Sequence, residues 1–421
     1  REVRGYNGLM YEKKTLPNGV RILTEHVPGV RSVSLGIWVG TGSRHESAGE
    51  NGAAHFIEHM LFKGTPTRTA FELSDAFDAL GAQVNAFTGK DMTCFYSKAT
   101  SDHAAEAFEL LSDLFLNATF PEEEMKREKG VVVEEIHMDE DSPEDLCLDL
   151  LARAAFGNRG YGRNILGPAA NVEGFTRADL LAYRKERYCP DNIVISFAGN
   201  IGLDEAIVLA ERYFGDMPRT QFSDRKKEVV QRADNLFRQK PIEQAHFALG
   251  FPTVAREDAL RPAVQVMNTI LGGGMSSRLF KRVREELGLA YSVYSYPSHY
   301  AETGLLTVYA GVNPAKAKDA FVAVQDVIRT FVKEGVTEEE FLRGREQAKS
   351  SAIFAQENTS SQMLLYGREL LYNNVVFDFE KRMAEIASLR QSDVSDAIAS
   401  GFDFSRAAVS SVGNLEKGLS L

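Results

Sequence analysis

The same order of elements is written twice along this chain, and a duplication of that kind leaves few folds open. In the first half, Tyr11–Leu16 and Val20–His26 flank the hairpin signal Pro17-Asn18-Gly19, and Ser32–Val39 follows as an apolar strand. A Gly- and Ser-rich loop then runs to Gly52. Helical patterns cover 52–63 and 69–80, strand patterns cover 82–88 and 92–99, and a long helix runs from Asp102 to about Leu116. The second half repeats this: strand Ala245–Phe251, helices Ala259–Leu271 and Ser276–Leu287, strands Leu289–Tyr296 and Leu305–Val312, and a long helix Ala315–Val332. Each half closes with an amphipathic helix (177–187, 392–400) and an apolar strand (192–200, 407–414). At 421 residues the chain exceeds one ordinary core. The expectation is an α+β protein of two structurally related α/β sandwich domains, each a mostly antiparallel sheet flanked by helices. They span 1–215 and 236–421, with a polar linker at 216–235 centred on Arg225-Lys226-Lys227-Glu228.

The densest chemistry lies in His55-Phe56-Ile57-Glu58-His59. Histidines four residues apart share one helix face, so both imidazoles reach a single ion. Glu58 projects near that face, where it can take a proton from water activated by the metal. This is the H-x-x-E-H order, the reverse of H-E-x-x-H. The bland alternative is a surface helix that happens to carry two histidines. Phe56, Ile57, Met60, Leu61 and Phe62 argue against it, because they make the segment apolar nearly all round and therefore buried. Buried paired histidines beside a carboxylate need partners, and a metal supplies them.

Catalytic zinc takes three protein ligands, so a distant Asp, Glu or His is required. The stretch Pro121-Glu122-Glu123-Glu124 through Ile136 starts like a helix, with Pro first and acids in its first turn. Glu128 and Glu135 lie two turns apart on one face of it, and Val131, Val132 and Ile136 bury the neighbourhood. Spacing alone does not choose among Glu134, Glu135 and His137, and a solvated acidic helix has the same pattern.

Taken together, these residues resemble the M16 (pitrilysin-type) metallopeptidases, in the half-length branch that holds mitochondrial processing peptidase and its bacterial relatives. The resemblance rests on His55 to Thr65, Gly81 to Thr88, Arg127-Glu128 to Glu135, and Arg284-Glu285-Glu286-Leu287-Gly288-Leu289-Ala290-Tyr291. It covers essentially the whole chain and implies a metallohydrolase-like two-domain architecture. It further implies His55, His59 and Glu135 as ligands of one Zn²⁺ per chain, Glu58 as general base, and Glu128 as the supporting glutamate. Asn85-Ala86-Phe87-Thr88 is implied as a substrate-binding edge strand, on which an extended peptide adds as a further strand. Arg284 and Tyr291 resemble the family's oxyanion-stabilising pair, brought across an interdomain chamber. Read alone, Asn85–Thr88 is an ordinary strand, and an Arg and a Tyr at this spacing carry no meaning. The glycine run Gly272-Gly273-Gly274 resembles the family's flexible loop and lacks the G-K-[ST] ending of a phosphate loop.

The expected activity is a zinc metalloendopeptidase, acting on peptides or unfolded segments in the manner of a processing protease. A non-catalytic subunit of a larger assembly is the alternative, and it requires loss of the H-x-x-E-H residues, which are intact. The second half lacks a matching set: its counterpart of the motif helix has no histidine, and 345–352 reads Arg-Glu-Gln-Ala-Lys-Ser-Ser-Ala. Because both signatures lie on one chain, a homodimer is expected, with a heterodimer as the other arrangement. Net charge of −11 argues against nucleic acid as a partner and is compatible with basic peptides, or simply with ordinary solubility. No apolar run approaches a membrane span, and Arg1–Gly5 has no apolar leader core. Cys94, Cys147 and Cys189 have no disulfide-framework spacing. A bacterial cytoplasm is expected, with the mitochondrial matrix as the alternative compartment.

Overall fold

The computed structural model describes residues 2–6, 9–223 and 229–421; the centre of the expected linker, Arg225-Lys226-Lys227-Glu228, lies outside the described residues. Two sheets organise the chain. The first holds β1 (Glu2–Tyr6), β2 (Leu9–Thr15), β3 (Arg21–His26), β4 (Ser32–Val39), β5 (Gln83–Thr88), β6 (Thr93–Thr100) and β7 (Ile193–Gly199), in the order β1-β2-β3-β7-β4-β6-β5. The second holds β8 (Asn235–Gln239), β9 (Ala245–Thr253), β10 (Ala290–His299), β11 (Gly304–Val312) and β12 (Ala408–Gly413), in the order β10-β11-β9-β12-β8. Read from the opposite edge, the second sheet repeats the run β3-β7-β4-β6-β5. Even the parallel pair recurs, β3 with β7 and β8 with β12, all other pairings being antiparallel. The duplication read from element order is therefore a duplication of topology.

The strands at the centre of each sheet are covered on both faces, which is why they read as continuous apolar runs rather than alternating ones. Every residue of β7 and of β12 is buried. One face of the first sheet carries α1 (Ala53–Leu61), α2 (Ala70–Ala79), α3 (Ala104–Asn117) and α4 (Glu122–Asp141), packed around Phe56, Phe95, Phe108, Phe115 and Phe197. Aromatic rings meet there, Phe108 with Phe197 at 4.9 Å and Phe95 with Phe115 at 5.6 Å between centroids.

The two compact units change over within the expected linker at 216–235, and each also takes in a segment from the other half of the sequence. The first comprises Arg1–Ile136, Asn164–Lys226 and Phe354–Asp378; the second comprises His137–Arg163, Lys227–Ile353 and Phe379–Leu421. Each sheet thus has its second face covered by a helix from the other half of the sequence. In the first unit the helix Thr359–Asn373 sets Met363, Tyr366 and Leu370 on Leu23, Trp38, Cys94 and Val194. In the second unit α5 (Pro143–Phe156) sets Leu146, Leu150, Leu151 and Ala154 on Ala248, Tyr309, Ala408 and Val412. The approach in the first unit is close enough to require glycine. A Cβ on Gly367 would lie 2.1 Å from Trp38 Nε1, and one on Gly36 would lie 2.4 Å from Met363 Sδ.

The expected helix Ser276–Leu287 forms, but Phe280–Glu286 is wound as a π-helix. The amide of Leu287 donates to the carbonyl of Arg282, five residues back, at 3.1 Å. Regular α-helical winding would set Leu279, Val283 and Leu287 on one apolar stripe; Leu279 and Val283 are fully buried, but Leu287 is 38% exposed, turned outward by the wider turn. Ser277 caps this segment, its Oγ accepting from the amide of Phe280. Among the described residues no helix is long and apolar enough to cross a membrane.

Candidate metal centre

Helix α1 buries Ala53, Ala54, Phe56, Ile57, Met60 and Leu61, and its half-buried positions are His55, Glu58 and His59. The apolar pattern therefore fixes the helix by three of its sides and leaves one face for chemistry. Its start is unusual. The N-cap is Gly52 at φ +102°, which supplies no side chain, and no acid lies in the first turn. The orphan amides are met from outside the helix by Glu46, completely buried, whose carboxylate accepts from Gly52 N at 2.9 Å, Ala54 N at 2.8 Å and Asn51 Nδ2 at 3.0 Å. Burial pushes the Glu46 carboxyl up to about 7 against the pull of those donors and of Arg187. No local pattern signals this cap, because Glu46 sits outside the spacing of a capping box.

Helix α4 brings the third ligand candidate. Met125, Val132 and Ile136 seat it on the core, and Glu128 faces inward, 5% exposed. One ring nitrogen each of His55 and His59 and one oxygen of Glu135 lie within 4.8 Å of one another. Glu135 Oε2 is 3.7 Å from His55 Nε2 and 3.4 Å from His59 Nε2, and the two rings are 4.6 Å apart. Among the described residues this is the one such cluster. Glu134 and His137, the other candidates of the sequence, are exposed. Two imidazoles and a carboxylate are the donor set of a catalytic zinc site with an open position.

The electrostatics suit that donor set. Burial, helped by His59, pulls the His55 imidazole down to about 4, so its lone pair is free, and His55 Nδ1 has no hydrogen-bond partner among the described residues. His59 Nδ1 is bonded to Glu128 Oε1 at 2.8 Å, which turns Nε2 toward Glu135, and Glu128 Oε2 holds Lys63 Nζ at 2.6 Å. A carboxylate behind a ligating histidine fixes its tautomer and raises its basicity. Burial alone would lower His59, yet Glu128, Glu135 and Glu58 outweigh it and raise the ring. Glu58 is raised by burial above the ordinary carboxylate value, with Glu135 adding to the rise. Its Oε2 accepts from the hydroxyl of Thr88. Sequence reading singled out Glu128 but missed Lys63, four residues after His59 and just beyond the end of α1.

Strand β5 ends the first sheet, so the Asn85–Thr88 segment lies on an edge, with one side of its backbone unpaired by the ladder. Its side chains are not equivalent. Asn85 is exposed and its Oδ1 accepts from the amide of Ala86 at 2.8 Å, whereas Phe87 packs edge-on against Trp38 at 6.0 Å. Arg284 and Tyr291 belong to the second unit. Arg284 lies on the π-helical turn, its guanidinium 4.7 Å from the Phe280 ring centre and 6.0 Å from that of Tyr291. Tyr291 is 75% exposed at the start of β10, and Gly288 between them takes φ +57°, as a helix-ending glycine does.

Comparison with known proteins points the same way. Residues 21–169 match the family model described as insulinase (peptidase family M16), and residues 174–348 match that of the peptidase M16 inactive domain. The chain is 40% identical over 408 residues to the uncharacterized zinc protease YmxG of Bacillus subtilis, covering 96% of this chain and 100% of that one. It is 36% identical over 424 residues to an uncharacterized zinc protease of Streptomyces coelicolor, covering 98% of this chain and 92% of the relative. A protease structure from Helicobacter pylori superposes with a TM-score of 0.89 at 20% identity, covering 96% of this chain and 99% of that one. A peptidase M16 inactive-domain structure from Pseudomonas fluorescens gives 0.89 at 22%, covering 96% and 98%.

Proposed function

Because the chain belongs to peptidase family M16, we propose that it is a zinc-dependent endopeptidase that cleaves peptides or unfolded segments. The observation that carries this reading is the convergence of His55, His59 and Glu135 with Glu58 on the same helix face. A zinc ion held by His55, His59 and Glu135 would supply a Lewis acid for the scissile carbonyl and would lower the pKa of an attacking water. Glu58 is the base that takes the proton of that water and returns it to the leaving amine. Its burial supports this role, since a carboxyl above its ordinary value is better matched to proton transfer near neutrality. Glu128 and Lys63 hold His59 in the ligating tautomer. The edge position of β5 supports addition of an extended substrate strand at Asn85–Thr88, which selects for backbone rather than side chains. The oxyanion-stabilising role proposed for Arg284 and Tyr291 rests on the resemblance and on the exposure of Tyr291. One zinc per chain, a homodimer and a processing-type substrate complete the proposal.

The non-catalytic alternative requires a lost ligand or base, and none of the four residues is lost. Metal analysis of the purified chain together with peptide cleavage by Glu58→Gln tests the proposal. Zinc is expected at one equivalent in both forms, with cleavage only in the wild type; a metal-free chain, or cleavage by Glu58→Gln at the wild-type rate, refutes it.

A further inference from the structure

The Thr88 hydroxyl is spent on Glu58, not offered at the strand edge. It donates to Glu58 Oε2, which pins the rotation of that carboxylate and leaves Oε1 as the oxygen free to take a proton. A carboxylate on a two-carbon stem turns readily unless something fixes it. Thr88 is itself fixed. It pairs across the ladder with Thr93, which is completely buried and donates to the carbonyl of Thr41 at 3.0 Å.

The turn beyond Thr88 is held too. Gly89 N donates to Met92 O at 2.7 Å, while Ser43 N and Arg44 N donate to Gly89 O and Lys90 O at 3.2 and 2.9 Å. Arg44 Nε lies 2.8 Å from Asp91 Oδ1, with both side chains nearly buried. Gly42 makes this fit, since a Cβ there would lie 2.2 Å from Gly89 O. The segment that grips this turn continues directly to Glu46, the cap of α1. Strand end and metal helix are thus clamped by one stretch of chain.

Resting on the peptidase reading above, we propose that Thr88 is a positioning residue for the base: it aims Glu58 and ties that aim to the strand on which substrate is expected to add. It acts through Glu58 and contributes no ligand and no side-chain contact to substrate. The test uses the full-length chain with zinc bound, comparing Thr88→Val, a near-isostere without the donor, with Thr88→Ser, which keeps it. Thr88→Val is expected to lower kcat roughly ten- to hundredfold, the scale of a misplaced catalytic group. KM and zinc affinity, the latter read by competition with a chromophoric chelator, are expected to stay within about twofold, and Thr88→Ser to recover most of kcat. Unchanged kcat in Thr88→Val, a loss confined to KM, or failure of Thr88→Ser to recover overturns the inference while leaving the peptidase reading standing. A wild-type chain that binds zinc yet cleaves nothing overturns that reading and this inference with it.

Discussion

Replacing Gly367 by alanine tests the least expected feature of the fold, the helix that covers the first sheet from the far end of the sequence. Gly367 lies inside the helix Thr359–Asn373, where glycine costs about 0.5–1 kcal/mol relative to alanine, so propensity alone predicts stabilisation. Packing predicts the opposite. The new Cβ would lie 2.1 Å from Trp38 Nε1, 2.5 Å from Trp38 Cε2 and 2.7 Å from Ser196 Oγ. Ordinary contact therefore requires a movement of about 1 Å or more, and overpacking of that kind costs about 1–3 kcal/mol. The same movement breaks the 2.9 Å hydrogen bond from Trp38 Nε1 to Ser196 Oγ and strands a buried donor, about 1–3 kcal/mol more. The balance is a net loss of about 1–5 kcal/mol, readable as a lower urea midpoint at unchanged slope. Gly130→Ala is the matched control: this glycine is inside α4, and a Cβ there meets nothing within 4 Å. It is expected to raise stability by about 0.5–1 kcal/mol. If Gly367→Ala stabilises as Gly130→Ala does, the helix does not sit against Trp38 and the packing argument fails.

Further outcomes follow from the ion pairs. Glu128→Gln removes the carboxylate behind His59 Nδ1 and is expected to weaken zinc binding about 10- to 100-fold by chelator competition, with the metal still bound at saturation; unchanged affinity would remove Glu128 from the site. Lys63→Met is expected to act in the same direction and more weakly, because Lys63 touches Glu128 and not the histidine. In the second unit the bidentate hydrogen bonds of Arg278 hold the Glu340 carboxyl down at about 2. Its folded value is depressed below the unfolded one of 4.5, so its contribution is fully present above about 4.5 and is lost as pH falls toward about 2. Allowing for solvent screening, Glu340→Gln should cost about 1 kcal/mol at pH 6, with the difference from wild type vanishing near pH 2 in urea titrations. A difference that persists at pH 2 would show that the pair is not its source.

How far the sequence carried the account varies by element. The motif helix was legible because apolar residues on three sides leave His55, Glu58 and His59 on the fourth, a pattern that needs no neighbour to interpret. The repeat was legible from element order, and five strands of the first sheet recur in the second, although β1 and β8 were not among the strands read from the sequence. The third ligand was not fixed by spacing, since Glu134, Glu135 and His137 share one turn of α4. The resemblance pointed to Glu135, and the structure sets that residue beside both histidines. The partition of helices was illegible for a different reason. The amphipathic pattern of α5 or of Thr359–Asn373 says that a face is buried, but not under which of two similar sheets. Glu46 and Thr88 escaped notice because their partners are backbone amides and a carboxylate set by the fold rather than by any fixed offset. The exposure of Leu287 was illegible because the sequence pattern does not announce the π-turn that rotates it outward.

The central claim is that one metal site on α1 and α4 serves a base on the same helix. Its most direct test is to measure zinc content and peptide cleavage side by side in the wild type and Glu58→Gln. One zinc per chain is expected in both, with cleavage in the wild type and the variant lower by at least about a hundredfold. A chain without zinc, or a Glu58→Gln variant that cleaves as the wild type does, contradicts that claim.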